Sequence, residues 1–274
     1  MPVIASNTAA NTALRYLNIN QANQSDSLAK LSSGSRIQRA SDDASGLAVA
    51  TSMAADISVL EQAATNTSSA QAVLQTADGA LSNLSDILQR MKSLTAQSQT
   101  GTVSDTERGY IDAEYQELLS EVDAIASGTK FNGEALLDGT GAYGSGVDFL
   151  VGTDTTDVLT VTLSDVSAAG LSVDGTSVDT AANAATAMDA IDAALGIISN
   201  ERASVGAMIS RFSYRADVID SSLENLEAAK SSIMDVDIAA EQTEFTNAQT
   251  LTSAAISALG QANSMNQQLL KLLQ

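Results

Sequence analysis

Paired carboxylates are the side chains of this sequence whose type and spacing could do chemistry. Asp42 and Asp43 are adjacent, and Asp154 and Asp157 flank two threonines. Carboxylate oxygens bind Ca²⁺ or Mg²⁺, and two carboxylates at a suitable separation can hydrolyse a glycosidic bond. Neither pair has the Asp-x-[Asp/Asn]-x-[Asp/Asn]-Gly spacing of an EF-hand loop. A helix cap at Asp42-Asp43 and a solvated turn at Asp154–Asp157 are therefore the favoured interpretations.

The composition excludes most other enzyme chemistry. The 274 residues contain no His, no Cys and no Trp. There is consequently no imidazole base, no thiolate nucleophile and no zinc, copper or iron–sulfur site. We predict no catalytic residue, no cofactor and no metal, and we keep a carboxylate-based enzyme only as a remote alternative.

The charge balance limits the partners. With 13 Lys and Arg against 33 Asp and Glu, the formal net charge is −20. Phosphate backbones and anionic lipids are held by Lys and Arg, so we expect neither a nucleic-acid nor a membrane partner. No stretch approaches the roughly 20 consecutive apolar residues of a membrane helix, and the start lacks the basic flank of a cleavable signal.

Heptad spacing predicts that long helices dominate the chain. In the first helix, apolar or compatible residues recur in steps of four and three from Ala10 to Leu31. Gln21 and Gln24 interrupt this seam. Either the register differs there, or the amides specify the pairing as buried amides do in other coiled coils.

The second predicted helix is unusually long. It starts near Ala44, behind the capping oxygens of Ser41-Asp42-Asp43, and its apolar seam continues to Gln99. At about 1.5 Å per residue it would measure on the order of 80 Å, so we expect an elongated molecule. Ser104 and Glu107 form a capping-box pattern at the start of a shorter helix that ends near Gly128.

The middle of the chain changes character. Nine of the 17 glycines lie between Gly128 and Gly175, and apolar residues alternate over 147–151 and 159–163. A polar turn separates the two alternating runs, which predicts a small β-hairpin. No Lys or Arg occurs between Lys130 and Arg202, so this zone is expected to face outward.

Helical spacing returns after Thr180. Residues from Ile191 to Ile233 recur every seven positions, and a final amphipathic helix follows. Since no other element is left to cover the seams of the two terminal helices, they must pair with each other and with neighbouring copies, and each should be marginal until it does. The residues predicted to pack there are Leu14, Leu17, Leu28, Leu31, Leu251, Ala255, Ala258, Met265, Leu269 and Leu272.

Several long motifs support this interpretation. Residues 31–48, LSSGSRIQRASDDASGLA, resemble the most characteristic N-terminal stretch of bacterial flagellins. Residues 130–133, 202–212 and 232–237 resemble that family's turn, C-terminal helix start and terminal link, and the end of the chain resembles its closing stretch. The residues of the N-terminal motif that we single out are Arg36, Ile37, Asp42, Asp43 and Gly46.

The resemblance implies a mainly α-helical structural subunit of an extracellular flagellar filament that serves motility. It implies a core coiled coil from residues 1–43 and 234–274, and a helical rod over 44–233 with a β-hairpin region at about 129–180. Its implied partners are further copies of the chain, an export chaperone, the secretion apparatus, and the hook-junction and cap proteins. A hook–filament junction protein of the same structural family is the alternative.

The resemblance also implies a surface for the vertebrate Toll-like flagellin receptor. Its residues would be Gln89, Arg90, Leu94 and Glu114. Lys92 and Ser93 depart from the commonest form of this patch. The alternative is a face that packs against the next subunit.

Overall fold

The computed structural model describes residues 6–272, with the backbone alone at Asn266 and at 269–272. The described chain forms, in order, α1 (Thr8–Ser33), α2 (Ala44–Gln99), α3 (Asp105–Gly128), β1 (Lys130–Phe131), β2 (Glu134–Ala135), α4 (Ala142–Ser145), β3 (Val147–Leu150), β4 (Val158–Val161), α5 (Ala181–Met234) and α6 (Ile238–Leu272). The predicted mainly α fold is confirmed.

The chain divides into two compact units. The terminal unit comprises Met1–Ala55 and Asn225–Gln274, and the central unit comprises Asp56–Glu224. The division predicted at 43/44 coincides with the start of α2, and the one predicted at 233/234 lies in the last turn of α5. As domain boundaries they stay a prediction.

Local signals define the helix limits. Helix α2 starts at Ala44, and it runs to Gln99 without a proline, which would interrupt its hydrogen bonds. The predicted capping box of α3 is confirmed, because Ser104 accepts from the Glu107 amide and Glu107 accepts from the Ser104 amide. Together these bonds satisfy two amides at the start of α3.

The core of the central unit is made by three helices. The α2 seam from Leu74 to Met91 is buried, as predicted. Helix α3 contributes Tyr115, whose pKa is raised above its usual value mainly by burial. Helix α5 contributes the predicted seven-residue series, which is buried at Ile191, Ile198, Val205, Phe212 and Ile219. Large aliphatic side chains supply most of the apolar burial that stabilises this unit.

Two small hairpins complete the central unit. Strands β1 and β2 are joined at Asn132 and Gly133, whose φ angles of 50° and 88° suit an Asn-Gly hairpin turn. Strands β3 and β4 pair in antiparallel fashion from Val147↔Val161 to Leu150↔Val158, so the second predicted hairpin is confirmed. Phe149 packs edge-on against Phe212, with ring centroids 5.9 Å apart, and this contact places the hairpin on α5.

Helix α5 contains an 18-residue window with a mean hydropathy of 1.2. By length and composition alone, such a helix could cross a membrane. This differs from the expectation from the sequence, which was based on unbroken apolar stretches. The reason is that many alanines raise the average without forming an unbroken apolar stretch. Ala184, Ala187, Ile191 and Ala194 of this helix are buried in the central unit, as expected for a core helix.

Candidate functional site

The motif at residues 34–46 lies in the terminal unit and joins α1 to α2. It pairs with the connection between α5 and α6: the Arg36 amide donates to the Met234 carbonyl (2.6 Å), and the Val236 amide donates to the Gly34 carbonyl (3.0 Å). Ser35 and Asp235 form an isolated antiparallel bridge between these two bonds. The two connections therefore hold each other in place, and we call this pairing the linker clasp.

Arg36 strengthens the linker clasp with its side chain. Its Nε and Nη2 atoms donate to the Ile233 carbonyl at 3.2 and 2.7 Å. Ile233 lies in the last turn of α5, where carbonyls have no partner within the helix. A cation is favourable at a helix C-terminus, so Arg36 acts as a cap for α5.

Asp42 and Asp43 are occupied by backbone amides. Asp42 Oδ2 accepts from the amides of Gln38 (3.1 Å) and Arg39 (3.0 Å). Asp43 Oδ1 accepts from the amides of Ser45 (3.1 Å) and Gly46 (2.9 Å) at the start of α2. These bonds hold the pKa of both carboxyls below the ordinary value, chiefly through the Arg39 amide for Asp42 and the Gly46 amide for Asp43. Both side chains thus shape the connection and cap a helix.

Gly46 packs closely against the same connection. A Cβ atom at this position would lie 2.5 Å from Asp43 Oδ2 and 2.8 Å from Ile37 Cδ1. Ile37 is buried. All five residues of the predicted family motif are therefore brought together by the structure, and what they build is a packed turn.

The other acidic pair has an equally structural role. The Asp157 amide donates to the Asp154 carbonyl, and Asp157 Oδ1 lies 3.9 Å from Arg215 Nη2. Across residues 6–272, no group of three or more Asp and Glu side chains has an arrangement suited to a metal ion. The Asp154–Asp157 segment forms the predicted turn between β3 and β4.

The two terminal helices pack on each other in antiparallel fashion. Near one end, Asn7 Nδ2 donates to the Ala262 carbonyl (3.0 Å), and near the other, Lys30 Nζ lies 3.7 Å from Glu241 Oε2. The less exposed positions of α1 repeat in heptads, as do those of α6. They are Ala10, Ala13, Leu17, Asn20, Gln24, Ser27 and Leu31 of α1, and Glu241, Phe245, Ala248, Thr252, Ala255, Leu259 and Ala262 of α6.

This seam corrects the predicted register within one chain. Leu17, Gln24 and Leu31 lie in the seam, as expected. Between them the seam contains Ala13, Asn20 and Ser27, and not the residues that follow each of these in the sequence, which were the predicted ones. Leu14, Gln21 and Leu28 are consequently exposed, so the register differs at Gln21, whereas Gln24 lies in the seam and its role in pairing stays a prediction. On α6, Ala255 lies in the seam, whereas Leu251, Ala258 and Met265 are exposed. The side chains of Leu269 and Leu272 lie outside the described residues.

The paired helices therefore leave large apolar side chains uncovered, while their seam is built mainly from small or polar ones. We call these uncovered side chains the terminal apolar set: Leu14, Tyr16, Ile19, Leu28, Ile238, Leu251, Ile256 and Met265. Leu14 is 45% exposed and Leu251 is 54% exposed. Tyr16, Ile19 and Leu251 also line an apolar groove of about 570 Å³ between α1 and α6. Sequence periodicity found the helices but missed Tyr16, Ile19 and Ile256, because they lie off the assumed seam.

Three of the four residues of the predicted receptor surface are exposed. Arg90 donates from Nε (2.9 Å) and Nη2 (2.5 Å) to Glu114 Oε1, and Gln89 Nε2 donates to Ser85 Oγ (3.3 Å). Leu94, in contrast, is only 2% exposed and belongs to the core of the central unit. The patch as predicted is thus corrected at Leu94, because the α2 heptad turns that side chain inward.

Two family models match this chain, one in its N-terminal half and one in its C-terminal part. The family model for the bacterial flagellin N-terminal helical region matches residues 4–142, and that for the C-terminal helical region matches residues 188–273. A flagellin of Halalkalibacterium halodurans is 38% identical over 273 residues, covering 99% of each chain. The flagellin FlaB1 of Treponema pallidum is 36% identical over 284 residues, with 99% coverage of both.

Solved structures share the fold. The crystal structure of Bacillus cereus flagellin aligns with a TM-score of 0.51 at 31% identity, over 61% of this chain and 94% of that one. A Vibrio parahaemolyticus structure described as a flagellar hook-associated protein aligns with a TM-score of 0.58 at 13% identity, over 71% of this chain and all of that one, which shows the fold alone. Because both family models and near-full-length relatives match, this chain belongs to the bacterial flagellin family.

Proposed function

We propose that this chain is the structural subunit of a flagellar filament, an extracellular organelle for swimming, and that copies associate through the terminal apolar set. The observation that carries the proposal is the contrast between that exposed set and the small, polar seam of α1 and α6. A pair of helices that buries little apolar surface by itself gains stability when its larger side chains are covered by other copies.

The terminal apolar set offers a sizeable apolar contribution to assembly. Full burial of a large apolar side chain is worth about 1.5–3 kcal/mol. The eight residues of the terminal apolar set are each roughly half exposed, so covering them would contribute on the order of 6–12 kcal/mol per copy. A heterologous contact that does not close into a ring continues as an open helical filament.

Replacement of two residues of the groove tests this proposal. Ile19→Gln with Leu251→Gln should raise the protein concentration needed for salt-induced filament growth at least tenfold, measured by sedimentation and electron microscopy. Helical circular dichroism of the monomer should not change, because glutamine is a good helix former and both positions are exposed. Ser25→Gln with Thr246→Gln, at exposed positions outside the terminal apolar set, is the matched control. Normal filament growth by the groove variant would contradict the proposal.

The hook–filament junction protein is the second candidate, because the shared fold extends to a protein described as hook-associated. The two candidates differ in the assembly that they form. Purified chain should give long tubes if it is the filament subunit and short caps if it is the junction protein. Electron microscopy of the assembled protein distinguishes them.

The remaining partners are proposed from the family resemblance. Export in unfolded form through the flagellar secretion apparatus, with a chaperone on α6, would protect Leu251, Ile256 and Met265 before assembly. Contact with hook-junction and cap proteins would use the same terminal surfaces.

Toll-like receptor binding would rest on Gln89, Arg90 and Glu114, and the Arg90→Ala variant should then lower receptor activation in a reporter-cell assay.

A further inference from the structure

The central unit carries a cationic and aromatic surface that its own chain leaves uncovered. Leu159 of β4 and four residues of α5 line a shallow groove of about 340 Å³. The residues of α5 are Arg211, Tyr214, Arg215 and Val218, and we call them the α5 patch. Tyr214 is 73% exposed. Arginine and tyrosine beside apolar side chains are the residue types enriched at protein interfaces.

The charges of the α5 patch are largely unused within the chain. The Arg211 side chain makes no hydrogen bond or ion pair with the described part of the protein. Arg215 has one ionic contact, 3.9 Å from Asp157. By comparison, Arg90, Arg108 and Arg202 of the same unit each contact a carboxylate at 3.0 Å or less. In a chain of net charge −20, two available guanidinium groups on one surface attract an acidic partner.

A complementary surface lies on α3 of the same unit. Glutamates and one tyrosine follow each other in steps of three and four residues, which places them on one face of the helix. We call this face the α3 stripe: Glu107, Tyr110, Glu114, Glu117 and Glu121, all of them exposed. Glu107 caps its own helix and Glu114 contacts Arg90. Among the described residues, no side chain forms an ion pair with Glu117 or Glu121, and like charges four residues apart destabilise a helix.

We infer that the α5 patch of one copy docks on the α3 stripe of a second copy. The inference rests on the proposed function, and it adds a contact between central units to the one made by the terminal helices. Arg211 and Arg215 face Glu117 and Glu121, and Tyr214 and Val218 of the α5 patch supply the apolar contact. Since the two surfaces are different, each copy offers one of each, and the contact continues from copy to copy without closing.

Two charge-reversal variants test the docking. Arg211→Glu with Arg215→Glu places glutamates at all four contacting positions, and Glu117→Arg with Glu121→Arg places arginines at all four. Either variant alone should need at least tenfold more protein than the wild type to form filaments at low salt. An equimolar mixture should recover assembly, because each variant then meets the opposite charge on the other. The variant with all four substitutions should also assemble. Raising the ionic strength should reduce these differences through screening.

Controls separate this inference from the proposed function. Lys130→Glu and Glu61→Arg reverse exposed charges outside both surfaces and should assemble like the wild type. Helical circular dichroism checks that each variant is folded. If wild-type chain forms no filament, the proposed function fails. If the wild type assembles but a charge-reversal variant assembles equally well alone, or if both the mixture and the fourfold variant stay monomeric while folded, the docking is overturned.

Discussion

Single residues of the family motif act through shape and hydrogen bonding. Arg36 caps α5, Asp42 and Asp43 hold backbone amides, and Gly46 leaves room for Asp43 and Ile37. None of these roles requires reactive chemistry. The motif therefore preserves the geometry of the connections that lead into the terminal helices.

Gly46 provides the sharpest test at this scale. Gly46→Ala places a methyl group within 3 Å of Asp43 and Ile37, and the resulting rearrangement should cost about 1–3 kcal/mol of unfolding free energy. Gly79→Ala in the same helix is the matched control, because no atom lies within 4 Å of its Cβ position. This control should gain roughly 0.5–1 kcal/mol. Urea denaturation of the monomer measures both, and equal effects of the two changes would refute this reading of Gly46.

At the scale of elements, capping carboxylates connect stability with pH. Asp43 at the start of α2 and Glu107 at the start of α3 have pKa values below their ordinary 3.8 and 4.5, mainly through bonds from the amides of Gly46 and Ser104. A depressed folded-state pKa means that the charged form stabilises the fold. The contribution is complete above about pH 4.5 and is lost as the pH falls through the lowered values.

Acid titration checks this direction. Thermal unfolding of the monomer should shift to lower temperature as the pH falls from 5 towards 3. In the Asp43→Asn and Glu107→Gln variants, part of that pH dependence should disappear, because an amide does not titrate in this range. Asp217→Asn, at an exposed position within α5, serves as the control. An unchanged pH dependence in both capping variants would argue against the caps as its source.

Prediction from sequence succeeded where the determining contacts are local. The Ser104–Glu107 box, the β3–β4 hairpin and the seven-residue series of α5 depend on neighbours in the chain or on one helical period. The α1 register failed, since Ala13 and Leu14 are adjacent and apolar, and both fit a heptad. Only the partner helix decides between them, and the seam shared with α6 contains the smaller residue. The Arg36–Ile233 contact was equally out of reach, because its partners are 197 residues apart.

At the scale of the whole molecule, apolar burial is distributed unevenly. The central unit buries large side chains such as Leu81, Leu88 and Phe212, whereas the seam of α1 and α6 buries mostly alanine and polar residues. Local stability follows buried apolar contact. The chain thus combines a well-packed central unit with terminal helices that gain most from association.

Amide hydrogen exchange should reveal this difference. In the monomer, amides of α1 and α6 should exchange much faster than those of α2 and α5 in the central unit, measured by mass spectrometry after proteolysis. In filaments, the terminal helices should become strongly protected. Full protection of both terminal helices in dilute monomer would contradict the proposed mechanism of assembly.

The linker clasp has a consequence for the order in which the molecule is completed. The connections that form it are separated by almost the whole central unit, with Arg36 and Ile233 lying 197 residues apart, so a nascent polypeptide that ends before Ile233 lacks it. The backbone bonds around Gly34 and Met234 must then form among the last native contacts, since distant segments close late. Completion of the terminal unit thereby waits for synthesis of the connection between α5 and α6.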